Sequence, residues 1–164
     1  MNSSSLRMVM GIFSAAEAFE MAMEIEKNGE VFYKAVAARA TDPSVKTLFQ
    51  ELAAQEQKHY LVFQKMAGTV SGAASLQAPE RDEYQAYLQA ALDNALFAGP
   101  DKALAMAEQA RDRQTALRAA IGFEKDTLLF FYDLREMVSE AEQKAITGII
   151  SEEKAHLRRL AGAL

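Results

Sequence analysis

The sequence predicts an all-α protein, a four-helix bundle in which one long crossover connection joins two helix pairs. Half of its 164 residues are apolar and a quarter are charged, while only 8 are Gly and 3 are Pro. Ala, Leu, Met, Glu, Gln and Lys dominate, and these residues lose least on entering a helix. Apolar residues also return at helical spacing through the long stretches between breaks. The length suits one domain with a single core.

The first helix pair is predicted over residues 14–67. Ser14–Glu17 is a capping-box pattern, which opens the first helix. Asp42 then caps the second helix, with Pro43 in its first turn. Residues 1–13 lack a clear small-residue cleavage site, so we interpret them as a loose N-terminus rather than a signal peptide.

A crossover is predicted over residues 68–112, because the chain becomes rich in Gly, Ser, Thr and Ala after the second helix. We expect a short extra helix within it at residues 83–97, followed by a break at Gly99-Pro100. The second helix pair is predicted over residues 113–160. A second capping-box pattern, Ser139–Glu142, opens its last helix.

Two close helix pairs joined by one long crossover are the ferritin-like topology. We therefore expect a single ferritin-like domain over residues 14–164, with the short extra helix inside its crossover. Amphipathic helices alone leave many bundle families open, so the function has to be inferred from the polar residues that the helices carry.

The composition excludes several kinds of protein. The absence of cysteine excludes disulfides, thiolate zinc sites and iron–sulfur clusters within this sequence, and it fits the cytoplasmic location that we expect. A net charge of −5 argues against nucleic acid as a partner, since phosphate binding needs clustered Lys and Arg. No stretch approaches the roughly 20 apolar residues that a membrane span needs, so we expect no membrane partner.

The two histidines of the chain carry the strongest chemical signal. Each follows a glutamate by three residues, in the pairs Glu56/His59 and Glu153/His156. Residues three apart lie on one helix face, so each pair can direct both side chains at one centre. A single histidine in a helix is more often a surface or hydrogen-bonded residue. Two in the same setting favour a metal site.

These pairs are parts of an internal repeat. Glu26 precedes Glu56 by 30 residues, and Glu124 precedes Glu153 by 29. Each half thus offers a glutamate on its first helix and Glu-x-x-His on its second, and two halves supply four carboxylates and two imidazoles. An unpaired charge on the apolar face of the first helix would be costly, which favours Glu26 as a ligand. Periodicity does not exclude Glu30, one turn further along.

Carboxylates can chelate one ion or bridge two, and neutral imidazole suits first-row transition metals. Four glutamates and two divalent ions make a neutral site, and two ferric ions with one oxide bridge make a neutral site as well. A site that stays neutral in both oxidation states favours iron or manganese over a purely structural zinc, although zinc can occupy the same ligands. An aromatic pair follows the first glutamate of each half. Its tyrosines, Tyr33 and Tyr132, are expected near the site as hydrogen-bond donors, or in the core.

Four stretches of the chain resemble the rubrerythrin-like branch of the ferritin-like superfamily: EIEKNGEVFYKAVA, LFQELAAQEQKHYLVFQKM, ALRAAIGFEKDTLLFFY and IISEEKAHLRRL. The resemblance covers the four bundle helices but not the crossover. It implies a homodimer that binds two iron ions and reacts with hydrogen peroxide or dioxygen. It also decides for Glu26 over Glu30 and implies six metal ligands: Glu26, Glu56, His59, Glu124, Glu153 and His156.

The chain departs from this family in two ways. Rubrerythrins proper carry a rubredoxin module with four cysteines, and this sequence has none, so we expect a separate electron-donor protein. The family's additional glutamate on the third bundle helix is replaced by Thr127. Two alternatives to a di-iron oxidoreductase stay open: a protein that oxidises and holds ferrous iron, and a non-catalytic bundle that metal merely stabilises.

Overall fold

The computed structural model describes residues 15–69, 86 and 99–164. Within these residues the chain forms five α-helices and no strands: α1 (Ala15–Arg39), α2 (Pro43–Thr69), α3 (Pro100–Gln109), α4 (Arg113–Met137) and α5 (Glu140–Ala163). α1 packs along α2 and α4 along α5, and the two pairs meet through α1 with α4 and α2 with α5. The predicted four-helix bundle is confirmed. None of the described helices combines the length and the hydropathy of a membrane span.

The two helix pairs occupy residues 15–69 and 113–163 of the described chain, against the predicted 14–67 and 113–160. The predicted loose N-terminus and the Ser14 cap lie outside the described residues. So does the extra helix predicted over residues 83–97, apart from the helical Ala86.

Polar residues at the helix ends make the turns within each pair. Asp42 Oδ1 accepts hydrogen bonds from the backbone N–H and the hydroxyl of Ser44, at 2.8 and 2.7 Å, and so caps α2. At the start of α5, Glu142 Oε2 accepts a 3.0 Å hydrogen bond from the backbone N–H of Ser139. Arg113 Nη1 donates to Asp42 Oδ2 at 2.9 Å and thereby joins the two pairs at one end of the bundle.

Within the predicted crossover, the chain after the break at Gly99-Pro100 forms a separate helix, α3, before α4 begins. Gly99 precedes it with a φ of 105°, a conformation that favours glycine. α3 packs against α1 and buries Ala103 and Ala107 completely or nearly so. Arg39 Nη1 donates a 3.4 Å hydrogen bond to the carbonyl oxygen of Ala107. The end of the crossover is therefore attached to the first helix pair.

Candidate metal centre

Each bundle helix carries one glutamate in the middle of its buried stripe. The apolar residues seven positions before and after that glutamate are buried as completely as the glutamate itself, because seven residues make almost two helical turns. The four triplets, all 0% exposed, are Phe19-Glu26-Tyr33, Phe49-Glu56-Phe63, Leu117-Glu124-Phe131 and Ile146-Glu153-Leu160. The sequence thus builds four carboxylates into one layer of an otherwise apolar core.

The structure brings all six predicted ligands together in this layer. They form two groups, and within each group the candidate ligand atoms lie within 4.8 Å of one another: Glu26, Glu56, His59 and Glu153 in the first, and Glu56, Glu124, Glu153 and His156 in the second. Glu56 and Glu153 belong to both groups. This arrangement offers each of two ions an imidazole and a carboxylate of its own, with two carboxylates shared between them.

Both histidines direct Nδ1 at the carboxylates. His59 Nδ1 lies 2.7 Å from Glu153 Oε1 and 3.7 Å from Glu26 Oε2. His156 Nδ1 lies 2.8 Å from Glu153 Oε2 and 3.5 Å from Oε1 of both Glu56 and Glu124. The imidazole rings are nearly parallel, with centroids 5.7 Å apart. Nδ1 is therefore the nitrogen that each histidine would offer to an ion.

Many of these buried polar atoms have no hydrogen-bond partner in the described part of the chain. They include both carboxylate oxygens of Glu26 and of Glu56, and Oε2 of Glu124. Buried polar atoms are normally paired, because leaving one unpaired costs about 1–3 kcal/mol and more for a charged group. A cluster of unpaired ligand atoms in a buried core fits a pair of cations.

The pKa values reflect the crowding of carboxyl groups. Burial, followed by repulsion from Glu153, raises the pKa of Glu26 and of Glu56 well above the usual range. The same two causes raise the pKa of Glu124 to about 8. Without cations these three carboxyls tend to stay protonated, since ionising them together in a low dielectric is costly.

For the two imidazoles, burial and the neighbouring carboxylates shift the pKa in opposite directions. Burial lowers the pKa of His59, but contacts with Glu153, Glu56 and the exposed Glu152 outweigh it and raise that pKa to about 9. Burial also lowers the pKa of His156, but Glu124 and Glu153 raise it to about 10. Burial raises the pKa of Glu153, yet hydrogen bonds from His156 and His59 hold it well below the usual range. Metal binding must therefore displace protons from both imidazoles.

Tyr33 contacts the cluster. Its hydroxyl donates a 2.5 Å hydrogen bond to Glu124 Oε1. Its ring packs against Phe32, Phe49 and Phe123, with centroids 5.5 to 5.9 Å apart. Burial, and then the charges of Glu124 and Glu56, raise the pKa of Tyr33 well above 10, so the hydroxyl keeps its proton and acts as a donor.

Among the described residues Tyr132 makes no such contact, and its ring packs against the core, which was the alternative expectation. Its ring is half-buried, with Arg135 Cζ 5.3 Å and Lys154 Nζ 5.2 Å from the centroid. Tyr33 stands seven residues after Glu26, but Tyr132 stands eight after Glu124, and one residue turns a helix by about 100°. The equivalent of Tyr33 in the second half is Phe131, which is fully buried and has no hydroxyl.

Glu30, the alternative to Glu26 on α1, lies apart from the two ligand groups. It is buried, but its carboxylate accepts hydrogen bonds from Lys27 Nζ at 2.9 Å and Lys34 Nζ at 2.5 Å. Burial raises the pKa of Glu30, but the two lysines outweigh it and lower that pKa. The charge of Glu30 is therefore balanced by its own helix.

Two residues near the site escaped the sequence analysis. Gly29 lies where α1 approaches α2 and α4, and a Cβ atom there would stand 2.7 Å from Glu56 Oε2 and 2.7 Å from the Phe123 ring. A glycine inside a long helix is unfavourable, and that was the available signal. Glu152 is exposed, yet it accepts a hydrogen bond from His59 Nε2. The sequence around Glu152 gives no sign of this contact.

The fold and the site define a class of protein, a helical bundle with a carboxylate-and-histidine dimetal centre of the ferritin-like kind. The chain belongs to the rubrerythrin family, whose sequence model matches residues 17–164. It is also similar to the crystal structure of a Thermotoga maritima protein described as a ferritin-like diiron-carboxylate protein. That similarity has a TM-score of 0.65 and 25% sequence identity over 92% of this chain and 94% of the other. A comparison with curated proteins found no match.

Proposed function

We propose that this protein binds two iron ions on Glu26, Glu56, His59, Glu124, Glu153 and His156, and that it reduces hydrogen peroxide or dioxygen. One observation carries the proposal: Glu56 and Glu153 belong to both groups of converging ligand atoms. Two ions held by this ligand set would lie within reach of one small oxidant, as a two-electron reaction requires.

The charge of the ligand set supports the binding of two divalent cations. Four ionised glutamates carry −4 and two divalent ions carry +4, so the loaded layer is neutral although it is fully buried. Without ions the same layer balances its charge by protonating imidazoles and carboxyls, as the raised pKa values of His59, His156 and Glu124 indicate. Iron and manganese accept this mixed set of carboxylate and imidazole ligands.

When bound, a pair of ferrous ions would supply the two electrons that, with two protons, reduce hydrogen peroxide to two waters or dioxygen to hydrogen peroxide, leaving both ions ferric. The protein holds the reacting centre in place. Glu26 and His59 flank it on one side, and Glu124 and His156 on the other. The Tyr33 hydroxyl fixes the orientation of Glu124 through its 2.5 Å hydrogen bond. The aromatic rings around Tyr33 exclude water from that side.

Electrons that return the site to its ferrous state come from a donor other than these 164 residues. The sequence has no cysteine, so it cannot bind the thiolate-ligated iron of a rubredoxin module. The family's additional glutamate is also missing, because the fully buried Thr127 stands in its place. This difference concerns how the ligands adjust when iron changes its charge, and it leaves the six proposed ligands intact.

Stopped-flow absorbance of the anaerobic protein, loaded with two ferrous ions per chain, tests the proposal directly. Mixed separately with hydrogen peroxide and with dioxygen, the protein should be oxidised faster by peroxide. Zinc-loaded protein is the redox-inert control. Faster oxidation by dioxygen, with ferric iron retained, would favour an iron-oxidising protein. The absence of reaction with either oxidant would favour a metal that only stabilises the bundle.

A further inference from the structure

An exposed carboxylate reaches the candidate metal centre from outside. Glu152 lies on α5, and its side chain is 56% exposed. Its Oε2 lies 2.8 Å from Nε2 of His59 on α2, whose side chain is only 3% exposed. The contact crosses between two helices of different pairs. The solvent-facing carboxylate of Glu152 thus contacts a buried imidazole.

The two nitrogens of His59 have different surroundings. Nδ1 faces inward, 2.7 Å from Glu153 Oε1 and 3.7 Å from Glu26 Oε2, whereas Nε2 faces outward to Glu152. A neutral imidazole has one N–H group, and a carboxylate acceptor at Nε2 keeps the hydrogen on that nitrogen. The lone pair of Nδ1 is then directed inward, which is the form that a metal ligand needs.

This contact lies on the wall of a groove of about 560 Å³ between α2 and α5. His59, Glu152 and His156 all line the groove, together with the apolar side chains of Val62 and Ile149. The solvent side of each histidine ring therefore faces the same groove. The two rings differ in the side chains that contact them there.

His156 has no equivalent of Glu152 among the residues that the structure describes. In the described structure, three carboxylates have an oxygen within 4.0 Å of a ring nitrogen of His156, those of Glu56, Glu124 and Glu153. All three belong to the buried cluster and approach Nδ1. The two halves of the site are therefore unequal. The half with His59 has an outer carboxylate, and the half with His156 provides an internal comparison.

We propose that Glu152 is a positioning residue that holds His59 as the Nε2–H tautomer, with Nδ1 directed at the ion shared with Glu26. The inference rests on the metal binding of the proposed function, and it adds an inequality between the two ion sites. Loss of an outer hydrogen-bond partner commonly weakens metal binding about 10- to 100-fold. Because water can reach the exposed Glu152, we expect an effect near tenfold.

Zinc is the probe, because it is diamagnetic and free of redox chemistry. Titration against a chromophoric chelator should give two zinc affinities for the wild type. In Glu152→Ala one of them should fall about tenfold while the other stays unchanged. Glu152→Gln keeps a hydrogen-bond acceptor without the charge and should restore most of the loss. Glu140→Ala removes the same charge from the same helix about 18 Å away and should have no effect.

Nitrogen-15 spectra of the zinc-loaded protein give an independent readout, since the chain has only two histidines and therefore only two sets of imidazole nitrogen signals. The Nε2–H signal of His59 should be slow to exchange in the wild type and lost in Glu152→Ala, with the His156 signals unchanged. Unaltered zinc affinities and an unaltered His59 signal in Glu152→Ala would overturn the role of Glu152. A wild type that fails to bind two zinc ions would instead overturn the metal centre itself.

Discussion

The hydroxyl of Tyr33 on α1 donates a hydrogen bond to Oε1 of Glu124 on α4, with an oxygen–oxygen distance of 2.5 Å. The two residues are 91 positions apart in the sequence, and both are fully buried. The equivalent position in the second half of the chain is Phe131, which cannot donate, and both carboxylate oxygens of Glu26 lack a hydrogen-bond partner in the described structure. The two halves of the site are therefore related in position but not in hydrogen bonding.

We expect Tyr33→Phe to destabilise the metal-loaded protein by about 1–3 kcal/mol, because it removes a hydrogen bond to a charged group while keeping the ring. Denaturant unfolding of the zinc-loaded protein measures this difference. Tyr132→Phe is the matched control. Its ring is half-buried between cations, so the change should stay within about 0.5 kcal/mol. Equal losses in the two variants would mean that the Tyr33 hydrogen bond does not contribute.

Gly29→Ala should lower both zinc affinity and stability. In an ordinary helix interior, alanine is more favourable than glycine by about 1 kcal/mol. At position 29, however, the added Cβ would stand 2.7 Å from Glu56 Oε2 and from the Phe123 ring, so a candidate ligand must move. Gly148→Ala on α5 is the control, since its Cβ would meet no atom within 4 Å. Thermal melts give the comparison. If the melting temperatures of both variants rise together, a role for Gly29 in accommodating Glu56 is contradicted.

The metal-free protein should lose stability as the pH rises from about 5 to 8. Folding raises the pKa of Glu124 to about 8, of His59 to about 9 and of His156 to about 10, so the folded chain binds more protons than the unfolded chain in this window. For each extra proton that the folded chain binds, the unfolding free energy falls by ~1.4 kcal/mol for every unit by which the pH rises. The lowered pKa of Glu153 acts in the opposite direction, but only below its unfolded pKa of about 4.5.

Metal replaces those protons, so it should stabilise the protein more at pH 7.5 than at pH 5.5. Thermal melts of the metal-free and zinc-loaded forms at both values of pH give the comparison. Equal melting temperatures in all four conditions would mean that the carboxylates are not buried together.

Substitutions on α1 separate the two candidate ligands. Glu26→Ala should lower the metal content, because it removes one ligand of the group that contains His59. Glu30→Ala should leave the metal content nearly intact, because that carboxylate is paired with Lys27 and Lys34. His59→Ala and His156→Ala should each lower the metal content. Elemental analysis of the purified variants decides the assignment, and a site emptied by Glu30→Ala but not by Glu26→Ala would reverse it.

The long helices and the two Glu-x-x-His pairs were predictable from the sequence pattern, whereas the full set of six ligands also needed the family resemblance, which decided for Glu26 over Glu30. Asp42 before Pro43 and the capping pattern at Ser139 fix where helices begin, and Glu-x-x-His places two side chains on one helix face. These are local relations, and a residue spacing expresses them fully.

Contacts between helices were not predictable in the same way. The Tyr33–Glu124 hydrogen bond, the close approach at Gly29 and the reach of Glu152 to His59 depend on the rotation and the distance of neighbouring helices. The difference between Tyr33 and Tyr132 has a related cause, since a shift of one residue in the repeat turns a side chain by about 100°.

The measurement that tests the metal centre most directly is anomalous diffraction at the iron absorption edge, from crystals prepared with ferrous iron in the absence of air. The proposed ligand set predicts two iron peaks per chain, one near Glu26 and His59 and one near Glu124 and His156, with Glu56 and Glu153 contacting both. A single peak, or iron bound away from these residues, would contradict the proposed di-iron centre.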